Sequence, residues 1–160
     1  ILDIGRTEGA QFEQPKNIDL VEFIKYKTND YNMLASKKSI TIKFSSNVSS
    51  FQIIIQETLF NQILQNFVQN AIKFTPNGKT IKIKLKKIDD KVILNVIDEG
   101  IGIDENIDVF APFKKVGKEN GVGLGLYLAK IASDALNAKI SIKNREDGKN
   151  GAIAKLELNL

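Results

Sequence analysis

The stretch from residue 57 to residue 74 constrains the fold most strongly, because its apolar residues recur at spacings of three and four. This pattern predicts an amphipathic helix that buries one face against a core. Pro76, Asn77 and Gly78 follow the stretch and predict the end of the helix. The apolar positions are Leu59, Phe60, Ile63, Leu64, Phe67, Val68, Ala71 and Ile72.

Four polar side chains, Gln62, Asn66, Asn70 and Lys73, lie beside that apolar stripe. At about 100° per residue they fall within roughly 80° of one another, so they can point into one cavity. Asparagine carbonyls are hard oxygen ligands that suit Mg²⁺, and a lysine one turn further on suits phosphate oxygens. A polar helix flank in a chain rich in lysine and asparagine explains the same residues equally well, and both interpretations stay open here.

The rest of the chain mixes helices with adjacent strands that are joined by short turns. Asp19 is a plausible N-cap for a first helix, and Asp89 and Asp90 form the turn between two central strands. This order predicts an α/β (α+β) two-layer sandwich, a mixed and largely antiparallel sheet covered on one face by three main helices. Strands are predicted at 39–46, 51–55, 80–88, 91–98, 139–144 and 152–159, and the other helices at 19–37 and 123–136.

Composition favours a single globular domain, since the chain has 160 residues and 42% hydrophobic content. No apolar run approaches the roughly 18 residues of a membrane span. The absence of cysteine suits a reducing compartment. We therefore expect a cytoplasmic location, and the pattern leaves open whether the full-length protein is anchored in a membrane.

The net charge of +4 raises the question of a nucleic-acid partner. Three lysines alternate with isoleucine and leucine along residues 81–86, which is typical of the solvated face of a half-buried strand. Clustered arginines and interleaved aromatic residues, which nucleic-acid surfaces favour, are missing. We therefore expect no nucleic-acid partner and no direct membrane contact by this chain.

Asp98 lies where a predicted strand ends and the chain turns through Gly100 and Gly102. A carboxylate in this place can be largely buried, and one that accepts a hydrogen bond from an exocyclic amine selects adenine over guanine. The glycines allow the backbone to approach a flat base closely. A turn aspartate followed by turn glycines is the alternative interpretation, and it is favoured when this segment is considered alone.

A second glycine cluster, Gly121, Gly123 and Gly125, leads into the third predicted helix. Unpaired backbone amides and the helix dipole at such a helix start favour anions, so phosphate groups would fit there. The alternative is a flexible loop that caps a helix. The spacing differs from the dinucleotide-binding fingerprint, and no strand leads directly into the cluster.

Four segments in this order resemble the N, G1, F and G2 boxes of the sensor histidine kinase catalytic domain. They are NQILQNFVQNAIKFTPNG, VIDEGIGID, FAPF and GVGLGLYLAK. That family shares a superfamily with DNA gyrase B, the Hsp90 chaperone and MutL, and the resemblance implies its Bergerat-type ATP-binding fold. ILDIGRTEG resembles the end of the second helix of a dimerisation and phosphoacceptor domain. We therefore expect residues 1–14 to be the end of that helix with a linker, and residues 15–160 to be the catalytic domain.

The resemblance implies ATP and Mg²⁺ as ligands and gives individual residues their roles. Asn70 would be the Mg²⁺ ligand, Asn66 and Lys73 would line the phosphate side, and Asp98 would recognise adenine. Lys115 falls where the family often has an arginine that faces the γ-phosphate, inside a mobile ATP lid at about 111–122. The other nucleotide-binding positions would be Phe74, Gly100, Gly102, Ile103, Phe110, Phe113, Gly121, Val122, Gly123, Leu124, Gly125 and Leu126.

The implied reaction transfers the γ-phosphate of Mg-ATP to a histidine on a dimerisation domain. The chain has no histidine, so the acceptor lies outside it. The ATPase branches of the superfamily place a glutamate where this chain has Asn66, and an amide cannot take a proton from water. We therefore expect slow hydrolysis by this chain alone. The implied partners are a histidine-bearing dimerisation domain of the same full-length protein, through which it would form a homodimer, and a downstream response regulator.

Three other functions stay open from the sequence. They are an ATP-driven conformational module of the gyrase or chaperone type, a serine kinase of the same superfamily, and a degenerate domain that binds nucleotide without transferring phosphate. Asn66 disfavours the first, and the histidine kinase-like N-terminal segment disfavours the second. The stretch 151–154 lacks the threonine that often follows the family's closing glycine, so a hydroxyl contact near adenine is not expected.

Overall fold

A computed structural model describes residues 13–113 and 124–160. Its helices are α1 (Leu20–Ala35), α2 (Glu57–Phe74) and α3 (Gly125–Ala135), and a short 3-10 turn covers Ser36–Lys38. Its strands are β1 (Lys16–Asp19), β2 (Thr41–Ser46), β3 (Gln52–Ile55), β4 (Thr80–Ile88), β5 (Lys91–Ile97), β6 (Lys139–Asn144) and β7 (Ala152–Asn159).

Five of these strands form one sheet in the order β2-β4-β5-β7-β6. The β2–β4 pair is parallel, and the other three pairs are antiparallel. The three helices pack on this mixed sheet, so the predicted two-layer sandwich is confirmed. The β2–β4 pair is parallel because α2 lies between these two strands in the sequence and carries the chain back along the sheet before β4 begins.

The sheet has one buried face and one lysine-rich face, as the alternation in β4 predicted. Ile81 and Ile83 are fully buried and Leu85 is nearly so, whereas Lys82 and Lys86 are exposed. The buried face meets the apolar side of α2, where Phe60, Ile63, Leu64 and Phe67 are also buried. Burial of these side chains is the main stabilising contribution to the layer.

Element bounds agree closely with the sequence-based expectations. Asp19 caps α1 as predicted, because its carboxylate accepts hydrogen bonds from the backbone N–H groups of Val21 and Glu22. The bounds of α2, β4, β6 and β7 are those predicted, and β5 ends one residue early, at Ile97. Strand β1 was missed, because four residues after a proline carry almost no periodic signal. None of the described helices is long and apolar enough to cross a bilayer.

The start of α2 is capped by a residue that is distant in sequence. Gln56 at the N-cap position makes no side-chain capping bond. Instead, Glu13 accepts hydrogen bonds from the backbone N–H of Thr58 at 3.2 Å and from its hydroxyl at 2.5 Å. Lys16 adds an ion pair with Glu57 at 3.8 Å. The segment before β1 is therefore attached to the helix that carries the candidate phosphate-side residues.

The capping role predicts a measurable stability effect. Replacing Glu13 with alanine leaves helix N–H groups without a capping partner, so the free energy of unfolding should fall by about 1 kcal/mol. The hydrogen bonds from Thr58 lower the pKa of Glu13 below its usual value. The stabilisation should therefore be present above the pKa that Glu13 has in the unfolded chain, and it should be lost as the pH falls through the folded-state pKa.

Urea unfolding across the acid range measures this effect. The neighbouring residue Gln14 is exposed and provides a matched control. Gln14→Ala should leave the free energy of unfolding unchanged. Equal stability of Glu13→Ala and the unmodified chain at neutral pH would show that the cap contributes nothing.

Candidate nucleotide-binding site

Asp98 follows β5 directly and is only 5% exposed. Its Oδ1 atom accepts hydrogen bonds from the backbone N–H groups of Gly100 and Ala152, each at 2.9 Å. None of the hydrogen bonds found within residues 13–113 and 124–160 uses its Oδ2 atom. The side chain is therefore oriented through one oxygen, and the other oxygen can accept a hydrogen bond from a ligand.

The environment of Asp98 changes its acid–base behaviour. Burial raises the pKa of its carboxyl group, because a charge is less stable away from water. The two backbone N–H groups and the positive charge of Arg145 act in the opposite direction, but the net shift of the pKa is upward. A buried carboxylate with one free oxygen can recognise a hydrogen-bond donor specifically.

Gly100 and Gly102 lie in the loop after β5, and both positions require glycine. A Cβ at Gly100 would lie 2.6 Å from the carbonyl oxygen of Phe74, at the end of α2. Gly102 has φ +81°, and a Cβ there would lie 2.5 Å from Oδ1 of Asn144. The sequence-based reason for these glycines was the approach of a base. The structure adds that they let the loop pack against its own protein neighbours.

The polar flank of α2 passes from buried to exposed along the helix. Gln62 and Asn66 are each 9% exposed, and the Asn66 side-chain amide donates to the carbonyl oxygen of Gln62 at 2.8 Å. Asn70 is half-buried, and none of the side-chain hydrogen bonds in the described parts of the chain engages it. Lys73 is exposed, and its ammonium lies 5.6 Å from the ring centroid of the half-buried Phe74.

The start of α3 meets α2 beside Asn66. A Cβ at Gly125 would lie 3.2 Å from Oδ1 of Asn66, so the small residue permits this close approach. Leu124 and Leu126 on either side are buried at 4% and 5% exposure. Leu124 provides no side-chain cap for the helix, and among the described residues no side chain accepts a hydrogen bond from the first amides of α3.

The remaining predicted positions are partly covered by the structure. Ile103 and Phe110 are half-buried and pack against the hydrophobic core. Phe113 is 68% exposed and has φ +63°, which is uncommon for a residue other than glycine. The other predicted site and lid positions lie outside the described residues; they are Lys115, Gly121, Val122, Gly123 and the stretch 114–122 of the lid.

Helix α2 contacts both glycine-containing segments that the sequence singled out, the loop after Asp98 and the Gly125 end of the second cluster. Its end abuts Gly100 in the loop that follows Asp98, and its middle turn abuts Gly125 at the start of α3. Asn66 makes the contact of that middle turn, and Asn70 lies one turn closer to the Gly100 contact on the same flank of the helix. A carboxylate, amide oxygens and helix-start amides are thus arranged along one wall, which is the set of groups that a nucleotide with its metal requires.

Sequence reasoning missed the residues that support this wall from the β6–β7 side. Asn144 donates from its amide to the carbonyl oxygen of Ile103 at 2.9 Å and accepts from the N–H of Ile103 at 2.7 Å. Arg145 donates to the backbone carbonyl of Asp98 at 3.0 Å. Both residues are polar and lie at the end of a strand. Polar residues are also common there in solvated turns, so the sequence alone gave no sign of their supporting contacts.

Gly151 completes that support. It has φ +134°, and a Cβ there would overlap the carbonyl oxygen of Asp98. Its place before Ala152 brings the Ala152 N–H within reach of the Asp98 carboxylate. The sequence marked this glycine only for the missing threonine after it, whereas the structure shows that it lets two backbones meet.

Comparison with known proteins agrees with this geometry. Residues 55–160 match the family described as "Histidine kinase-, DNA gyrase B-, and HSP90-like ATPase". The chain is 34% identical to the sensor protein KdpD of Clostridium acetobutylicum over 167 aligned residues, which cover 99% of this chain and 18% of KdpD. The chain therefore spans less than a fifth of that relative.

Solved structures of histidine kinases have the same fold. The catalytic domain of histidine kinase ThkA has a TM-score of 0.81 and 30% identity, and the match covers 91% of this chain and 95% of that domain. Full-length ShkA in complex with AMPPNP has a TM-score of 0.82 and 25% identity, and the match covers 96% of this chain and 33% of ShkA. ThkA has also been solved with the response regulator protein TrrA; that match has a TM-score of 0.77 and 26% identity, and covers 98% of this chain and 48% of the solved chain.

The family match extends over most of the chain, and the likeness to ThkA extends over nearly all of a separate catalytic domain. These findings confirm the family that the four motifs indicated. The chain belongs to the histidine kinase-, DNA gyrase B- and HSP90-like ATPases, and it is a catalytic ATP-binding domain of the sensor histidine kinase type.

Proposed function

We propose that this chain binds Mg-ATP and donates its γ-phosphate to a histidine of a separate dimerisation domain. The observation that carries the proposal is the buried Asp98 carboxylate, with one oxygen held by two backbone N–H groups and the other unused by the described residues. It stands at one end of a wall whose other end carries Asn66 and Asn70. The similarity to ShkA, solved with AMPPNP, supports this ligand class.

Adenine is the base that this carboxylate suits. Its exocyclic amine can donate to Oδ2 of Asp98, whereas guanine presents a carbonyl oxygen at the same ring position and would be repelled. The loop through Gly100 and Gly102 is held against α2 and Asn144, so the carboxylate does not need to be reorganised when the base binds.

Magnesium fits the donor set of α2. Asn70 offers a side-chain carbonyl, and the described residues contain no group of three or more histidine, cysteine, aspartate or glutamate side chains that could hold a metal ion by themselves. One protein oxygen with nucleotide phosphates and water is a normal coordination for Mg²⁺. When bound, the ion neutralises phosphate charge during transfer. Lys73 and the first amides of α3 would contact the same phosphates, together with Lys115.

The acceptor must come from another domain, since the chain has no histidine. The chain's own contribution is positioning and charge neutralisation, which supply most of the catalysis in phosphoryl transfer. The buried Asn66 has no proton-accepting group for activating water. We place the chain in the cytoplasm, as part of a homodimeric sensor kinase that passes phosphate to a response regulator. The solved complex of ThkA with TrrA supports that class of partner.

The adenine role of Asp98 predicts opposite effects on binding and on stability. In Asp98→Asn, the amide oxygen keeps the two backbone hydrogen bonds and the NH₂ group replaces the free acceptor. ATP affinity should fall about 10- to 100-fold, the effect of losing a charged hydrogen bond. Because the pKa of Asp98 is raised, its protonated form stabilises the fold at low pH, and this contribution is lost as the pH rises through that pKa. At neutral pH, Asp98→Asn carries no buried charge at this position, so the variant should be at least as stable as the unmodified chain.

Isothermal titration with ATP and GTP, combined with thermal unfolding, measures both effects. Asp89→Asn at the exposed turn between β4 and β5 is the matched control and should leave both quantities unchanged. Unchanged ATP affinity in a folded Asp98→Asn protein would remove Asp98 from base recognition.

The metal role of Asn70 predicts a loss that depends on magnesium. Asn70→Ala should weaken ATP binding at least tenfold in Mg²⁺, because it removes the protein ligand of the ion, and should change it little in EDTA. Gln69→Ala, one residue earlier and exposed on the same helix, is the control. An equal loss in both buffers would mean that Asn70 contacts the nucleotide directly or supports the fold.

The split reaction predicts that the chain alone is nearly inactive. Its rate of ATP hydrolysis should lie well below the roughly 1–100 s⁻¹ of working kinases. Adding the histidine-bearing domain of the full-length protein should produce an acid-labile phosphohistidine on that domain. Labelling with γ-³²P-ATP is the measurement, and a domain with its histidine replaced is the control. Rapid hydrolysis without the domain would favour the conformational ATPase alternative, and an acid-stable phosphate would favour a serine kinase.

A further inference from the structure

We propose that Arg145, through its hydrogen bond to Asp98 and its pairing with Asp147, is a positioning residue that sets the preference for adenine over guanine. The proposal rests on the adenine role of Asp98 proposed above. Arg145 lies in the β6–β7 turn, outside the residues that the four motifs identify.

Arg145 uses three of its nitrogens in a fixed arrangement. Its Nη1 atom donates to the backbone carbonyl of Asp98 at 3.0 Å. Its Nε and Nη2 atoms donate to the two carboxylate oxygens of Asp147 at 3.2 and 2.7 Å. The Arg145 side chain is 8% exposed, whereas Asp147 is 51% exposed. A guanidinium held by a carboxylate along one edge presents its remaining donor in a defined direction.

The turn that carries Arg145 is built around this contact. The N–H of Arg145 donates to the carbonyl oxygen of Gly151 at 3.0 Å, and the N–H of Lys149 donates to Asp147 at 3.1 Å. A Cβ at Gly151 would lie 2.9 Å from the Cδ atom of Arg145, so glycine leaves the room that the arginine side chain occupies. A solvated surface arginine would have no such enclosure.

The hydrogen bond from Arg145 determines the direction of the Asp98 carboxylate indirectly. It holds the carbonyl at the peptide between Asp98 and Glu99. That peptide carries the N–H of Glu99, and the following peptide carries the N–H of Gly100, which donates to Asp98 Oδ1. Without the arginine, the peptide between Asp98 and Glu99 can rotate, because its buried carbonyl has lost that partner. Such a rotation moves the Gly100 N–H that orients the carboxylate.

Arg145 also influences the charge state of Asp98. Burial is the largest influence on the pKa of Asp98 and raises it, while the Arg145 charge lowers it. Among the charged groups of the described residues, Arg145 is the one whose charge shifts the pKa of Asp98. The charged neighbours in sequence are Glu99, whose carboxylate accepts from the Thr80 N–H at 2.7 Å, and the turn residues Glu146, Asp147 and Lys149. Removing Arg145 should therefore raise the pKa of Asp98 further.

The test compares ATP and GTP binding over a pH series in Arg145→Gln, Arg145→Lys and Lys149→Gln. In Arg145→Gln, ATP affinity should fall about fivefold, the effect of one lost hydrogen bond, while GTP affinity stays unchanged. The pH at which ATP binding weakens on acidification should move upward, because the Asp98 carboxylate then protonates more easily. Arg145→Lys keeps the positive charge but loses the paired hydrogen bonds to Asp147. Its pH profile should therefore match that of the unmodified chain, while its preference for ATP should be recovered only in part.

Lys149→Gln removes one positive charge from the same turn and should change neither quantity. An unchanged ratio of ATP affinity to GTP affinity in folded Arg145→Gln, including an equal loss for both nucleotides, would overturn the proposal. If Arg145→Gln does not fold, Asp147→Asn weakens the paired hydrogen bonds that hold Arg145 and keeps the arginine charge. The ratio of ATP affinity to GTP affinity should also fall in Asp147→Asn, and an unchanged ratio in that variant would equally overturn the proposal.

Asp98→Asn separates this proposal from the function on which it rests. If Asp98→Asn leaves ATP affinity unchanged, the adenine assignment itself is wrong. If Asp98→Asn weakens ATP binding and the Arg145 variants do not, Asp98 recognises adenine without help from Arg145.

Discussion

Asp98 makes the hydrogen bonds that hold the two halves of the candidate site together. Its N–H donates to the Ala152 carbonyl at 3.0 Å, and its Oδ1 accepts from Ala152 and Gly100. These bonds join the end of β5, the start of β7 and the following loop at one buried carboxylate. Burying that charge opposes folding, and the backbone N–H groups offset part of the cost. The carboxylate is retained at a cost in stability, which is typical of a residue used for recognition.

Helix α2 extends this constraint to the proposed phosphate side. Its apolar face anchors it on the sheet, its end meets Gly100 and its middle meets Gly125. Because one rigid element contacts both glycine-containing loops, the positions of Asn66 at the α3 start and of Asn70 one turn away are fixed relative to the Asp98 loop. Glu13 caps the other end of the same helix. A displacement of the segment before β1 would therefore act on the helix that carries the proposed metal-side residues.

The sequence predicted the sandwich and the residues of α2 because periodicity is a local signal: three- and four-residue spacing in 57–74 and alternation in 81–86 each specify a buried face. Strand β1 escaped detection because four residues have too short a pattern. The support by Asn144 and Arg145 escaped for a different reason. Each acts on a residue more than 40 positions away, and no local pattern encodes such a contact. The need for Gly151 likewise depends on how closely two distant backbones pack.

We propose an enzyme divided between domains, in which this chain holds the phosphate donor and another domain supplies the histidine. The central proposal is that adenine binds at Asp98 and that the metal binds at Asn70. A crystal structure of the chain with Mg²⁺ and AMPPNP tests this most directly. We predict the adenine amine within about 2.7–3.2 Å of Asp98 Oδ2 and the Asn70 carbonyl oxygen about 2.0–2.1 Å from the ion. An adenine ring bound away from Asp98, or an ion held without Asn70, would contradict the account.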